Sequence, residues 1–158
     1  MGGMLHVFNH AVMKTMLFLA AGAMIDKTGI SKIEDLSGIG YKMPLTMAVF
    51  SVGALSMVGI PGFSGFISKY YLAFGALDAG KPFYVAVILL SSLLNAIYYL
   101  PIVVRAFFGQ GERNFSWDGL PWAITLPMVI LAGFNIIFGL LPGGLVYFVE
   151  LAAGSLLN

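Results

Sequence analysis

Gly59-Ile60-Pro61-Gly62-Phe63-Ser64-Gly65-Phe66-Ile67-Ser68-Lys69-Tyr70-Tyr71-Leu72 is the stretch on which the architecture turns. Three glycines and a proline fall within its first seven residues, enough to break a helix, and helical composition resumes at Ile67. Upstream, Pro44 opens an apolar run at a position suited to the first turn of a helix. That run, through Val49, Phe50, Leu55 and Met57 to Ile60, is barely long enough to cross a bilayer. The spacing leaves two readings: a membrane helix made discontinuous near Pro61 to Gly65, or an ordinary interfacial loop. In the first, the freed backbone must be buried in protein or line water, and such interruptions are where ion sites form within membranes.

The rest of the chain places this stretch in a bilayer. Hydrophobic residues make up 59% of the 158, charged residues only 9%, and the mean hydropathy is +0.95. Soluble domains carry about 25% charged residues. The length accommodates roughly four or five crossings of about 20 residues, with little left for an extramembrane catalytic head. The fold expected is therefore all-α and integral to the membrane. With no cysteine there is no disulfide, iron–sulfur cluster or thiolate metal site, and a net charge of +1 offers no footprint for nucleic acid. Met1-Gly2-Gly3-Met4 has neither a basic n-region nor a small-residue cleavage site, so the first helix is expected to be retained.

Four spans can be drawn. The first runs from about Leu5 to Ile25 and closes at Asp26-Lys27-Thr28-Gly29. An exposed, ordered loop of mixed charge is expected from Ser31 to Lys42, before the run that opens at Pro44. The third clear span covers Phe83 to Phe108, with a kink expected at Pro101, and is followed by Gly109-Gln110-Gly111-Glu112-Arg113. The fourth runs from Pro121 to Leu141. The tail, Leu145 to Asn158, is amphipathic at best and short for a crossing, with Glu150 expected at the interface. The Lys/Arg difference between loops is too small to set an orientation.

Lys14 lies midway along the first span, preceded by His6 and His10 at intervals of four. About 15 Å of helix separates it from either end, too far for its side chain to carry the ammonium to a headgroup. A lysine at that depth is expected to face a hydrated or protein-lined interior. The three residues form a ladder of roughly 12 Å along one face. Histidine exchanges protons near neutral pH and a buried lysine can join it, so the ladder could relay protons through water. His-x-x-x-His is also half of a metal site, but no third ligand is at hand in the sequence, and none is expected. Neutral histidine can instead tie helices together, and Lys69, just past the break, could snorkel. Ser91, Ser92, Asn95, Tyr98 and Tyr99 in the third span could wet a path, though tying helices together is their more ordinary role, as it is for the isolated Asn135. No nucleophile–base pair, phosphate loop or carboxylate dyad is visible, and no cofactor is required.

The segment His6-Val7-Phe8-Asn9-His10-Ala11-Val12-Met13-Lys14-Thr15-Met16-Leu17-Phe18-Leu19-Ala20-Ala21-Gly22 resembles the H-x-x-x-H-A-x-x-K-A-x-L-F-L-x-A-G pattern of the antiporter-like membrane subunits. These occur in proton-pumping NADH–quinone oxidoreductase, Mrp-type sodium/proton antiporters and related membrane-bound hydrogenases. Two further blocks agree in order: Asp35-Leu36-Ser37-Gly38-Ile39-Gly40 with Lys42-Met43-Pro44-Leu45-Thr46, and Leu55 through Lys69. The resemblance covers roughly residues 4 to 108. One departure is Gly62, which stands where the family commonly has a second proline.

The resemblance implies about fourteen helices in two inverted repeats, each with a broken helix and a central lysine. Lys14 then matches the central-axis lysine of the second repeat, and Lys69 the lysine or glutamate on its broken helix, toward the exit. The family's first repeat has no counterpart here, so residues 1–158 are expected to form a single membrane domain resembling the C-terminal half of such a subunit. Either a split gene or a truncated product is implied, its missing half supplied from elsewhere. The expected function is translocation of protons, or exchange of sodium for protons, within a multisubunit respiratory or antiporter complex of a prokaryotic inner membrane. The proposed path runs through His6, His10, Lys14 and Lys69, with other membrane subunits as partners, and the chain is not catalytic by itself. The rival is a structural helical subunit that conducts nothing.

Overall fold

The computed structural model describes residues 1–110 and 115–157, which leaves Gly111, Glu112 and Arg113 of the expected third loop outside the described residues. Seven α-helices follow one another, and no strand occurs among the described residues. They are α1 (Gly2–Thr28), α2 (Ile39–Lys42), α3 (Pro44–Val58), α4 (Ser64–Asp78), α5 (Phe83–Phe108), α6 (Trp122–Leu140) and α7 (Gly143–Leu157), with a 3-10 turn at Ile33–Leu36. Three of these, α1, α5 and α6, are long and apolar enough to cross a membrane. The chain is an all-α, multi-pass integral membrane protein.

The region around Pro61 is a break within one crossing, and the register along α1 demonstrates it. A Cβ on Gly2 would lie 3.0 Å from the Tyr71 carbonyl, and the His6 Nδ1 lies 3.0 Å from the Ser68 hydroxyl. The Asn9 amide donates to the Ser64 carbonyl at 2.9 Å, Met13 sulfur abuts Gly65, and Met16 and Leu17 abut Gly53. As α1 runs forward its partner runs backward, through α4, across the break and into α3. The two helices therefore lie in tandem, antiparallel to α1. Each has 15 residues, roughly 22 Å of rise, too short to span about 30 Å of hydrocarbon alone. Together they match the 27 residues of α1.

The core lies where α1 meets α3. Met13, Met16, Leu17, Ala20 and Met24 pack against Met43, Met47, Phe50 and Ala54, closed from the far side by Tyr99, Ile102 and Ala106 of α5 and by Met128 of α6. Unbranched methionine fills such irregular gaps. The outer side of α5, including Phe83, Leu90, Leu93, Leu94 and Ile97, is exposed. Glu150, on α7, is exposed.

One expectation needs correction. The Ser31 to Lys42 connection is exposed only at Ser31 through Asp35 and at Lys42, while Leu36, Gly38, Ile39 and Gly40 are buried. The reason is steric and apolar: Leu36 and Ile39 join the core, and Gly40 sits so close to the Phe107 ring that a Cβ would approach it to 2.6 Å.

Candidate functional site

The break begins with backbone. Gly59, at φ +92°, supplies the left-handed residue that ends α3. Its N–H bonds to the Ser56 carbonyl and the N–H of Ile60 to that of Leu55, a Schellman pair. The last four carbonyls of a helix need partners, and this motif serves two of them, leaving those of Met57 and Val58. Lys69 takes both. Its Nζ donates to the Met57 carbonyl at 2.7 Å, to that of Val58 at 3.2 Å, and to the Ser92 hydroxyl at 2.7 Å. A cation on the negative end of a half-helix is favoured electrostatically, and three acceptors match the three hydrogens of an ammonium. Snorkelling is thereby excluded for this residue in the structure.

The approach that aims Lys69 depends on Gly65. Its N–H donates to the Ser56 hydroxyl at 3.0 Å, and a Cβ there would lie only 2.0 Å from the Ser56 carbonyl oxygen. No larger residue lets α4 begin so close to the end of α3.

The ladder on α1 is divided between two neighbours. His6 and His10 stay together, ring centroids 5.9 Å apart, and His6 meets Ser68, next to Lys69 in the chain. Lys14 points elsewhere, toward α5, where its Nζ lies 3.4 Å from the Tyr99 hydroxyl and 5.9 Å from the centre of the Phe18 ring. It forms the deep end of a cleft of about 530 Å³ between α1 and α5, lined also by Asn95, Tyr99 and Phe50, which reaches Ile30, Ser31 and Leu36 at the end of α1. His6 adjoins α4 beside Lys69, His10 lies against His6, Lys14 faces the cleft, and Lys69 closes the break.

What joins the two lysines is α5. Ser92 and Tyr99 are seven residues apart, two turns of one face, with half-buried Asn95 between them. Their spacing of three and four was visible in the sequence, but the sequence alone favoured helix-tying roles. Asn135 departs from that expectation too: its amide is buried, yet it has no hydrogen-bond partner among the described residues. Asp118 carries no signal in the sequence. Its buried carboxylate accepts from the N–H groups of Leu45 at 3.1 Å and Thr46 at 2.6 Å, capping α3 from a distant loop, while Lys27 donates to its main-chain carbonyl.

The family model described as NADH:quinone oxidoreductase/Mrp antiporter, transmembrane, matches residues 1–95. NADH-quinone oxidoreductase subunit N of Desulforudis audaxviator is 38% identical over 153 residues, which cover 88% of this chain and 30% of the relative. A Na(+)/H(+) antiporter subunit of Bacillus subtilis is 30% identical over 158 residues, covering 99% of this chain and 32% of the relative. The chain spans less than a third of the length of these curated relatives. Among solved structures, a chain of the membrane-bound sulfane sulfur reductase, an archaeal respiratory membrane complex, superposes with a TM-score of 0.84 at 31% identity, over 97% of this chain and 31% of its own. A chain of the Mrp complex from a Dietzia species shares the fold, with a TM-score of 0.77 at 24% identity, over 92% of this chain and 35% of its own.

Proposed function

This chain belongs to the NADH:quinone oxidoreductase/Mrp antiporter transmembrane family, and from that premise we propose that it carries protons, or exchanges sodium for protons, as one part of a multisubunit membrane complex. Residues 1–158 act as a single membrane domain equivalent to the C-terminal half of an antiporter-like subunit. The remaining half comes from another chain or from the rest of a longer one, and the assembly sits in a prokaryotic inner membrane. His6, His10, Lys14 and Lys69 carry the protons.

One observation carries this reading: an amine at membrane depth held by oxygen atoms that the broken helix itself supplies, Lys69 on the carbonyls of Met57 and Val58. Interrupted helices expose backbone in the membrane where it serves an ion, and here it serves an ionisable side chain. The cleft below Lys14 gives the second amine a way toward the loop at Ile30 to Leu36.

The same hold on Lys69 would also suit a subunit that only braces its complex, since it ties α4 to α3 and α5. Lys14 separates the two readings because it braces almost nothing. The test is proton uptake and sodium release, measured separately, in vesicles containing the assembled complex. Lys14→Ala that assembles and loses proton flux supports conduction. Lys14→Ala that assembles and conducts fully makes the chain a structural subunit.

A further inference from the structure

We propose that α5 forms a proton bridge between the two lysines, with Ser92 as the group that exchanges a proton with Lys69 and Tyr99 as the group that exchanges one with Lys14. The inference rests on the reading that both amines carry protons, and it adds the route between them and the residues that make the route.

The chemistry of the Lys69 contacts selects Ser92. The carbonyls of Met57 and Val58 only accept hydrogen bonds, so they hold the amine in place but cannot relay its proton. The Ser92 hydroxyl, at 2.7 Å, both accepts and donates. When Lys69 is an ammonium, Ser92 accepts from it. When Lys69 is neutral, two of its hydrogens remain on the carbonyls and its lone pair accepts from Ser92. One rotation of a hydroxyl therefore lets Ser92 pair with the amine in both protonation states. In the transfer an N–H bond of Lys69 breaks as an O–H bond forms on Ser92, while the proton Ser92 already held passes to the next acceptor. Every bond made is matched by one broken, and no electron changes hands.

At the other end, the polar neighbour that Lys14 has in hydrogen-bonding range among the described residues is the Tyr99 hydroxyl at 3.4 Å, which can also accept and donate. Ser92 and Tyr99 are separated by roughly 10 Å along α5, a distance that two or three water molecules would span. Asn95 lies between them on the same face and lines the cleft that holds Lys14, so its amide offers a donor and an acceptor to orient that water. The histidines of α1 lie beside this route: His6 meets Ser68, next to Lys69 in the chain, and its ring centre lies 5.9 Å from that of His10.

The test is proton flux in vesicles holding the assembled complex, with the amount of assembled chain measured alongside. Ser92→Ala is expected to lower the flux at least about tenfold, the order of a lost proton-transfer group. Ser92→Thr, which keeps the hydroxyl, is expected to restore most of it, and a merely structural hydroxyl would not show this rescue together with a shifted pH profile in Ser92→Ala. Tyr99→Phe removes one oxygen from a packed ring and is expected to lower flux several-fold, so it decides the matter if Ser92→Ala fails to assemble. Normal flux in both Ser92→Ala and Tyr99→Phe, where Lys69→Ala has none, overturns the bridge and leaves the lysines as carriers. Normal flux in Lys69→Ala overturns the underlying reading itself.

Discussion

Lys14 and Lys69 each lie within a helix of the bundle and are each half-buried, yet their surroundings differ sharply. Lys69 has three oxygen partners, two of them main-chain carbonyls at the end of α3, and the helices around it depend on it for satisfied hydrogen bonds. Lys14 has one long contact to Tyr99 and an open cleft before it. The first lysine is a fixed post and the second a free arm. The difference teaches that a family motif can mark both with the same letter while physics assigns only one of them a part in holding the protein together.

The hardest blow to this contrast should fall at Gly65. Gly65→Ala drives a methyl to within 2.0 Å of the Ser56 carbonyl oxygen, where both partners are backbone of the break. It should cost about 3 kcal/mol or more, read as loss of assembled chain in the membrane. Assembly at the wild-type level would show that α4 can start elsewhere and that the fixed post is not fixed.

Next in size is Lys69→Ala, which strands the carbonyls of Met57 and Val58 at the end of α3. Each unpaired group costs roughly 1–3 kcal/mol, so both thermal stability in lipid nanodiscs and flux should fall. A smaller effect is expected from Asp118→Ala. It removes the cap on Leu45 and Thr46 and should lower stability by about 1 kcal/mol with flux almost unchanged, since the cap touches neither lysine. Smallest in stability is Lys14→Ala, within about 0.5 kcal/mol of the parent, because only a contact of 3.4 Å is lost. If Lys14→Ala and Lys69→Ala destabilised equally, the contrast between post and arm would be gone.

The sequence made the scaffold legible because its signals are local. Gly29, Pro44, Pro82 and Pro121 mark helix limits that the structure reproduces within a few residues, and glycine spacing between Gly59 and Gly65 announced the interruption. Whether that interruption was a loop or a broken crossing was not local, since it depends on α1 lying antiparallel to both halves. The site was half legible. Lys14, Lys69 and the histidines stood out as polar groups in apolar runs. Their division into a break-side group and a cleft-side group depends on which helix each faces, and periodicity on α1 alone cannot report that. Ser92 and Tyr99 gained meaning only when their partners were known, and Asp118 caps a helix 72 residues away in the chain. Asn135 marks the limit of composition arguments: expected to tie helices together, it is buried without a protein partner among the described residues.

The most direct test of the account asks whether water reaches position 14. The chain has no native cysteine, so Lys14→Cys places a single thiol at the deep end of the cleft. In assembled complex in sealed vesicles, a charged thiol reagent that cannot cross the bilayer should modify it from the side bearing the Ile30 to Leu36 connection, seen as a mass shift on this chain. A thiol that resists the charged reagent from both sides, and reacts only with a lipid-soluble one, would place position 14 in hydrocarbon and contradict the account.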